Sequence, residues 1–165
     1  MAGAFIVACG ADNVLSGSVS ELLPNGLSVS RVEILRNAEA LQVSYYNNRD
    51  QDIDLVARVT VSAVGVELRD GQKIDLAGEY EPGHQRTTVI SLLSGEPTRF
   101  FAPVQRGDLK ITSGGEDKAS IAGNFSMLFQ EEEEGFGAGR TLEGSFSGPA
   151  ADAGYDPVLP DAGEP

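Results

Sequence analysis

Four consecutive carboxylates, Glu131, Glu132, Glu133 and Glu134, are the densest chemistry in this chain, and they run straight into Gly135-Phe136-Gly137. Adjacent carboxylates repel one another and relax only in water or beside cations, so the run could hold Ca²⁺ weakly or meet a basic partner. Consecutive side chains do not aim at a common centre, and a solvated hairpin tip is the simpler expectation. A second set, Asn48, Asp50, Asp52 and Asp54, falls at every other position. Laid on the EF-hand loop with Asp50 first, it puts Leu55 where glycine is required and Val61 where the bidentate glutamate belongs. Asp50 and Asp52, like the four glutamates, are therefore candidates only for an irregular calcium site.

Other catalytic sets are incomplete. His84 is the only histidine and Cys9 the only cysteine, which is too few for a zinc site. No Gly-x-Ser-x-Gly elbow supplies a nucleophile for His84. The glycine-rich stretch from Gly135 to Arg140 has no Walker lysine after it and no expected helix, so it cannot cradle phosphate. Pairings of Glu79 with Glu81 or Asp75 have no spacing that marks an acid and a base. Asn124-Phe125-Ser126 fits a glycosylation acceptor, but inside a strand pattern. The reading is of a protein that is not an enzyme and needs no cofactor. The paired aromatics Tyr45-Tyr46 and Phe100-Phe101 sit in strand patterns, where adjacent residues face opposite ways. Tyr46 and Phe100, with Phe136, are the candidates for a ligand or glycan surface.

The elements that must position these residues are β-strands. Ile53, Leu55, Ala57, Val59 and Val61 alternate with Asp54, Arg58, Thr60 and Ser62; Ile121, Gly123, Phe125, Met127 and Phe129 alternate with Ser120, Asn124, Ser126 and Gln130. Period two marks half-buried strands of antiparallel sheets. Shorter strands are expected at 15–22, 27–35, 41–47, 65–69, 72–76, 87–93, 109–112 and 139–147. Pro24-Asn25-Gly26, Asp70-Gly71, Glu81-Pro82-Gly83 and Ser113-Gly114-Gly115 punctuate them. Asp70-Gly71 reads as a hairpin turn between 65–69 and 72–76. Residues 31–41 carry a partial helical pattern, yet the alternation of Val32 and Ile34, resumed at Leu41, Val43 and Tyr45, favours two strands around a turn at 36–40. A short motif recurs as Leu15-Ser-Gly17-Ser-Val19-Ser20, Ile121-Ala-Gly123-Asn-Phe125-Ser126 and Leu142-Glu-Gly144-Ser-Phe146-Ser147, with Leu76-Ala-Gly78-Glu-Tyr80 as a looser copy. Glycine at one place in several strands lets a sheet coil. The second and third copies are expected to be antiparallel neighbours.

These patterns give an all-β fold: a single antiparallel β-sandwich or barrel-like domain of about 9–11 short strands. The domain should occupy 13–148, after a segment 1–12 and before a flexible, acidic Pro/Ala/Gly tail over 149–165. The chain has 165 residues, of which 41% are apolar, enough for one core. Its 25 acidic and 12 basic residues leave a net charge of −13. That balance excludes nucleic acid as a partner and docking of the protein surface on anionic lipid, because both need a basic face. It favours solubility, cations and basic partners.

The N-terminus carries one family resemblance. Ile6-Val7-Ala8-Cys9 resembles the lipobox of bacterial lipoproteins, in which a signal peptide is cut before a cysteine that then receives a diacylglyceryl group. The resemblance covers four residues, and no Lys or Arg precedes Cys9. It implies lipidation at Cys9, residues 10–13 as a tether, and attachment to a bacterial envelope without a spanning helix. The expected function is that of an exported (lipo)protein, periplasmic, outer-membrane-anchored or secreted, binding an envelope protein or polysaccharide. Two alternatives stand beside it: a small barrel carrying an apolar ligand, and a weak calcium-binding β-domain.

Overall fold

Alternating residues build an all-β domain in the computed structural model, which describes residues 13–115, 119–131 and 134–152. The strands are β1 (Leu15–Ser16), β2 (Arg31–Arg36), β3 (Ala40–Arg49), β4 (Asp52–Ser62), β5 (Lys73–Asp75), β6 (Glu79–Glu81), β7 (His84–Gln85), β8 (Thr87–Leu92), β9 (Arg99–Phe100), β10 (Val104–Ser113), β11 (Ser120–Phe129) and β12 (Thr141–Asp152). Ten form one curled sheet in the order β5-β10-β11-β12-β2-β3-β4-β8-β9, with β1 beside the first half of β12. β6 and β7 make a separate hairpin. Every strand pair is antiparallel except β12–β2, where Ala150–Asp152 run parallel to Ile34–Arg36.

β12 is the hinge of this arrangement. Its first residues pair with β11 and β1, and its last three pair with β2, so one strand carries the chain from one half of the sheet to the other. The two halves face each other across a shared core. Tyr45 of β3 is fully buried and packs edge-on against Phe125 of β11, with ring centroids 6.2 Å apart. Its hydroxyl donates to the Ser145 carbonyl of β12 at 2.9 Å. Met127, Phe129, Leu142 and Phe146 fill the interior around this contact. At the other end the chain passes from β9 directly toward β10, and there Phe136 of the 130–140 loop exchanges backbone hydrogen bonds with Phe100 and Ala102. This contact partly closes the curl of the sheet and covers its β9 end, while β5 stands at the other end of the strand order.

The repeated motif is structural. Its three clear copies lie side by side in β1, β12 and β11, with Leu15 opposite Gly144, Phe125 opposite Gly144, and Phe146 opposite Gly123. A methyl group on Gly144 would lie 2.5 Å from the Phe125 ring, and one on Gly123 2.7 Å from the Phe146 ring. Each glycine of the β11–β12 pair is the seat of the other copy's phenylalanine.

Several boundaries differ from expectation. The described residues hold twelve strands, three of them only two residues long, against an expected number of about nine to eleven. Residues 15–22 form a strand only at Leu15–Ser16. Gly17 then takes a φ of 123°, and a 3-10 helix over Ser18–Leu22 buries Val19. Burial of Leu15, Val19 and Leu23, four apart, is the spacing of a helical turn, not of a strand. Residues 65–69 are loop. The Gly71 N–H bonds the Ile111 carbonyl, so the Asp70-Gly71 turn lays β5 on β10 instead of closing a hairpin. The strand expected to stop at 147 runs to Asp152, because β2 offers Ala150–Asp152 a ladder. The turn at 36–40 between β2 and β3 forms as expected, with the Asn37 side chain accepting from the backbone of Glu39 and Ala40. Cys9 and the segment 1–12 lie outside the described residues, as do Glu132, Glu133 and the tail from 153.

Candidate functional site

Among the described residues the acidic candidates Asp50, Asp52, Glu131 and Glu134 do not gather at one centre. Asp50 forms the β3–β4 turn with Gln51 and is the one described non-glycine residue with positive φ, 47°. Aspartate tolerates that left-handed conformation through local hydrogen bonding. Asp52 accepts from the Ser94 hydroxyl at 3.0 Å. Asp54 is buried, accepting from Arg49 Nε at 2.7 Å and from the Ser94 N–H at 2.8 Å. The Arg49 guanidinium holds the Asp54 carboxyl below the usual carboxylate range, outweighing the opposite effect of burial. This aspartate ties the β3–β4 hairpin to the loop after β8. Glu131 and Glu134 are exposed on the loop between β11 and β12. Among the described residues no three His, Cys, Asp or Glu groups gather into a cation site.

Phe136 belongs to the closure of the sheet. Its ring packs against Phe101 at 5.0 Å, Phe101 packs on Phe129, and the Arg99 guanidinium lies 5.1 Å from the Phe136 centroid. Arg99 also pairs with Glu96. Phe136 is thus bonded to Phe100 through the backbone, while its ring is engaged by Phe101 and Arg99.

Tyr46 and Phe100 do share a surface. The face of β2-β3-β4-β8-β9 that points away from the core is read directly from the register. Arg31, Tyr46, Leu55 and Leu92 form one row across four strands; Glu33, Ser44, Arg58, Ile90 and Phe100 form the next across five. Ile53 extends the apolar end beyond Leu55. Three of these side chains are well exposed, Ile53 at 58%, Phe100 at 57% and Leu92 at 43%. Farther along, Gln42 and Thr60 hydrogen-bond each other at 3.2 Å.

A β-bulge makes this surface. Opposite Tyr45 and Tyr46 the register jumps from Ala57 to Leu55, and opposite β8 it jumps from Arg58 to Leu55, so Val56 is the extra residue. An extra residue reverses the in–out alternation beyond it. Ala57, Val59 and Val61 enter the core as expected, but Ile53, expected beside them, is exposed, Asp54 turns inward, and Leu55 falls on the outer side by register while remaining buried among its neighbours. Nothing in the apolar–polar pattern of β4 signals the change; only the fit of Val56 against its neighbours does.

Two arginines frame Tyr46. Arg31 lies 4.0 Å over its ring and pairs with Glu33 at 3.3 Å. Arg58 donates from Nη2 to the Tyr46 hydroxyl at 3.2 Å and from Nε to the Ser44 hydroxyl at 2.9 Å. Ion pairs elsewhere match Arg49 with Asp54, Arg69 with Glu67, Lys73 with Asp108 and Arg140 with Glu21. Among the described residues Arg58 bonds only neutral hydroxyls, in a chain with about twice as many acids as bases.

The opposite outer face, on β5-β10-β11-β12, is concave and polar. An open depression of about 740 Å³ is lined by Lys73, Asp75, Arg106, Asp108, Ser126 and Glu143, among others. Asp75, Asp108, Ser126, Glu143 and Ser16 run in register across five strands. No pattern in the sequence joins these residues, which come from distant segments. Lys73 pairs with Asp108 at 3.4 Å, and the row of Asp75, Asp108 and Glu143 is acidic, with Lys73 and Arg106 beside it. Compared with family models, characterised proteins and solved structures, the chain matches none.

Proposed function

We propose that this chain is a non-enzymatic, exported binding module of a bacterial envelope, and that it binds through the outer face of β2-β3-β4-β8-β9. The observation that carries the reading is that face: Ile53, Leu92 and Phe100, three of the six exposed large apolar side chains among the described residues, share it beside Tyr46. Contiguous apolar surface of this kind marks interaction sites, and Tyr, Phe and Arg are the residues that interface centres favour. The polar depression on the other face is the weaker candidate because no large apolar side chain stands exposed among its lining residues. A ligand carrier would need an interior left open, whereas Phe125, Met127, Phe129, Phe146 and Tyr45 pack into this one. Attachment to the envelope would rest on Cys9, since no helix among the described residues is long and apolar enough to cross a membrane.

Two measurements test the reading. Expressed with its upstream sequence, the protein should gain acyl mass and pellet with membranes, and Cys9→Ser should do neither; a free thiol on a soluble protein would remove the lipoprotein part. A photo-crosslinking residue at position 100 should trap a discrete envelope partner, while one at Lys110 on the opposite face should not. Equal trapping at both positions, or at neither, would sink the assignment of the face.

A further inference from the structure

Resting on that reading, we infer that the Arg31–Tyr46–Arg58 cluster seats a carboxylate of a protein partner whose flanking side chains are apolar. Arg58 is half-buried at the centre of the face. Its Nε and Nη2 are occupied by hydroxyls, and Nη1 has no hydrogen-bond partner among the described residues. A guanidinium held by neutral groups keeps its full charge for an incoming anion, and its planar fork matches a carboxylate. Tyr46 fixes that fork from one side and is itself covered by Arg31, whose own charge Glu33 already meets. On the β8 side the neighbours by register are Leu55, Leu92, Ile90 and Phe100, which a docked partner would cover, excluding water and strengthening a charge-assisted bond formed beside them. Aliphatic residues mixed with aromatics and arginine fit a protein surface better than a glycan, which would stack on aromatic rings alone. The chain's net charge of −13 means the partner is not strongly acidic as a whole. It presents one or two carboxylates within an apolar patch.

The test uses the full chain, isotope-labelled, titrated with hydrocinnamate and separately with the uncharged hydrocinnamide, both at millimolar concentrations and followed by amide and Arg Nε–H resonances. Hydrocinnamate should shift Arg58, Tyr46 and Leu92 saturably, and Arg58→Gln should weaken it about tenfold, the effect of one charge-assisted hydrogen bond. Arg58→Lys should fall between. Arg31→Gln, at an exposed side chain, should weaken binding less and serves as the check if Arg58→Gln perturbs the fold. If the amide binds the face as well as the acid and Arg58→Gln changes nothing, the face docks apolar groups and the carboxylate seat is wrong. If neither probe moves these resonances, the carboxylate seat is also wrong, while the crosslinking at position 100 judges the face independently.

Discussion

Asp54 shows how a single residue can look functional in sequence and prove structural in the fold. As the last of four alternating Asn/Asp residues it belongs to a calcium-like pattern, yet it is buried and spends both oxygens on Arg49 and Ser94. Replacing it with alanine should cost about 2 kcal/mol, mostly from the Ser94 N–H left without an acceptor. The pH dependence has a definite sign. The folded carboxyl lies below its unfolded value, so its stabilisation is present above the unfolded pKa and is lost as pH falls through the lowered folded one. Chemical denaturation from neutral to acid pH should show wild type converging on Asp54→Ala; a difference that stays constant with pH would contradict the ion pair. Tyr45 and Tyr46 make the companion case. Adjacent aromatics on a strand must face opposite ways, so one buried and one outward ring followed from the sequence. Which of them reaches the core did not.

Among the elements, β11 and β12 are the most legible. The shared motif marks them as antiparallel neighbours, and the register confirms it with each Gly opposite a Phe. The pairing predicts a coupled response. Gly144→Ala places a methyl against the Phe125 ring and should destabilise by about 1–3 kcal/mol, as overpacking does. Gly144→Ala combined with Phe125→Leu should cost less than the sum of the two single changes, with a coupling of at least about 0.5 kcal/mol. Additive effects in urea unfolding would mean that the ring does not rest on the glycine. β4 is the opposite case. Its period-two pattern identified the strand, but the bulge at Val56 reassigned Ile53, Asp54 and Leu55 between faces. The pattern marks alternation, and a bulge is set by how the strand fits β3 and β8 on either side.

At the scale of the whole molecule, the binding role proposed for the outer face of β2-β3-β4-β8-β9 can be separated from stability. Ile53→Asp and Phe100→Ser change side chains that are more than half exposed, so each should alter unfolding free energy by no more than about 0.5 kcal/mol. Each should nevertheless abolish partner crosslinking from a probe placed at Leu92. A large loss of stability would mean that these residues support the fold rather than offer a surface. The sequence by itself determined an all-β domain, most strand positions, the β2–β3 turn and the acidic character, because these depend on local alternation, turn chemistry and composition. Tertiary structure alone decided the curl of one sheet into two facing halves, the parallel joint of β12 with β2, and the meeting of Arg31, Tyr46, Arg58, Leu92 and Phe100 on one face. Those features depend on pairing between segments far apart in the chain, whose register follows from the mutual fit of side chains and leaves no periodic trace in any one strand.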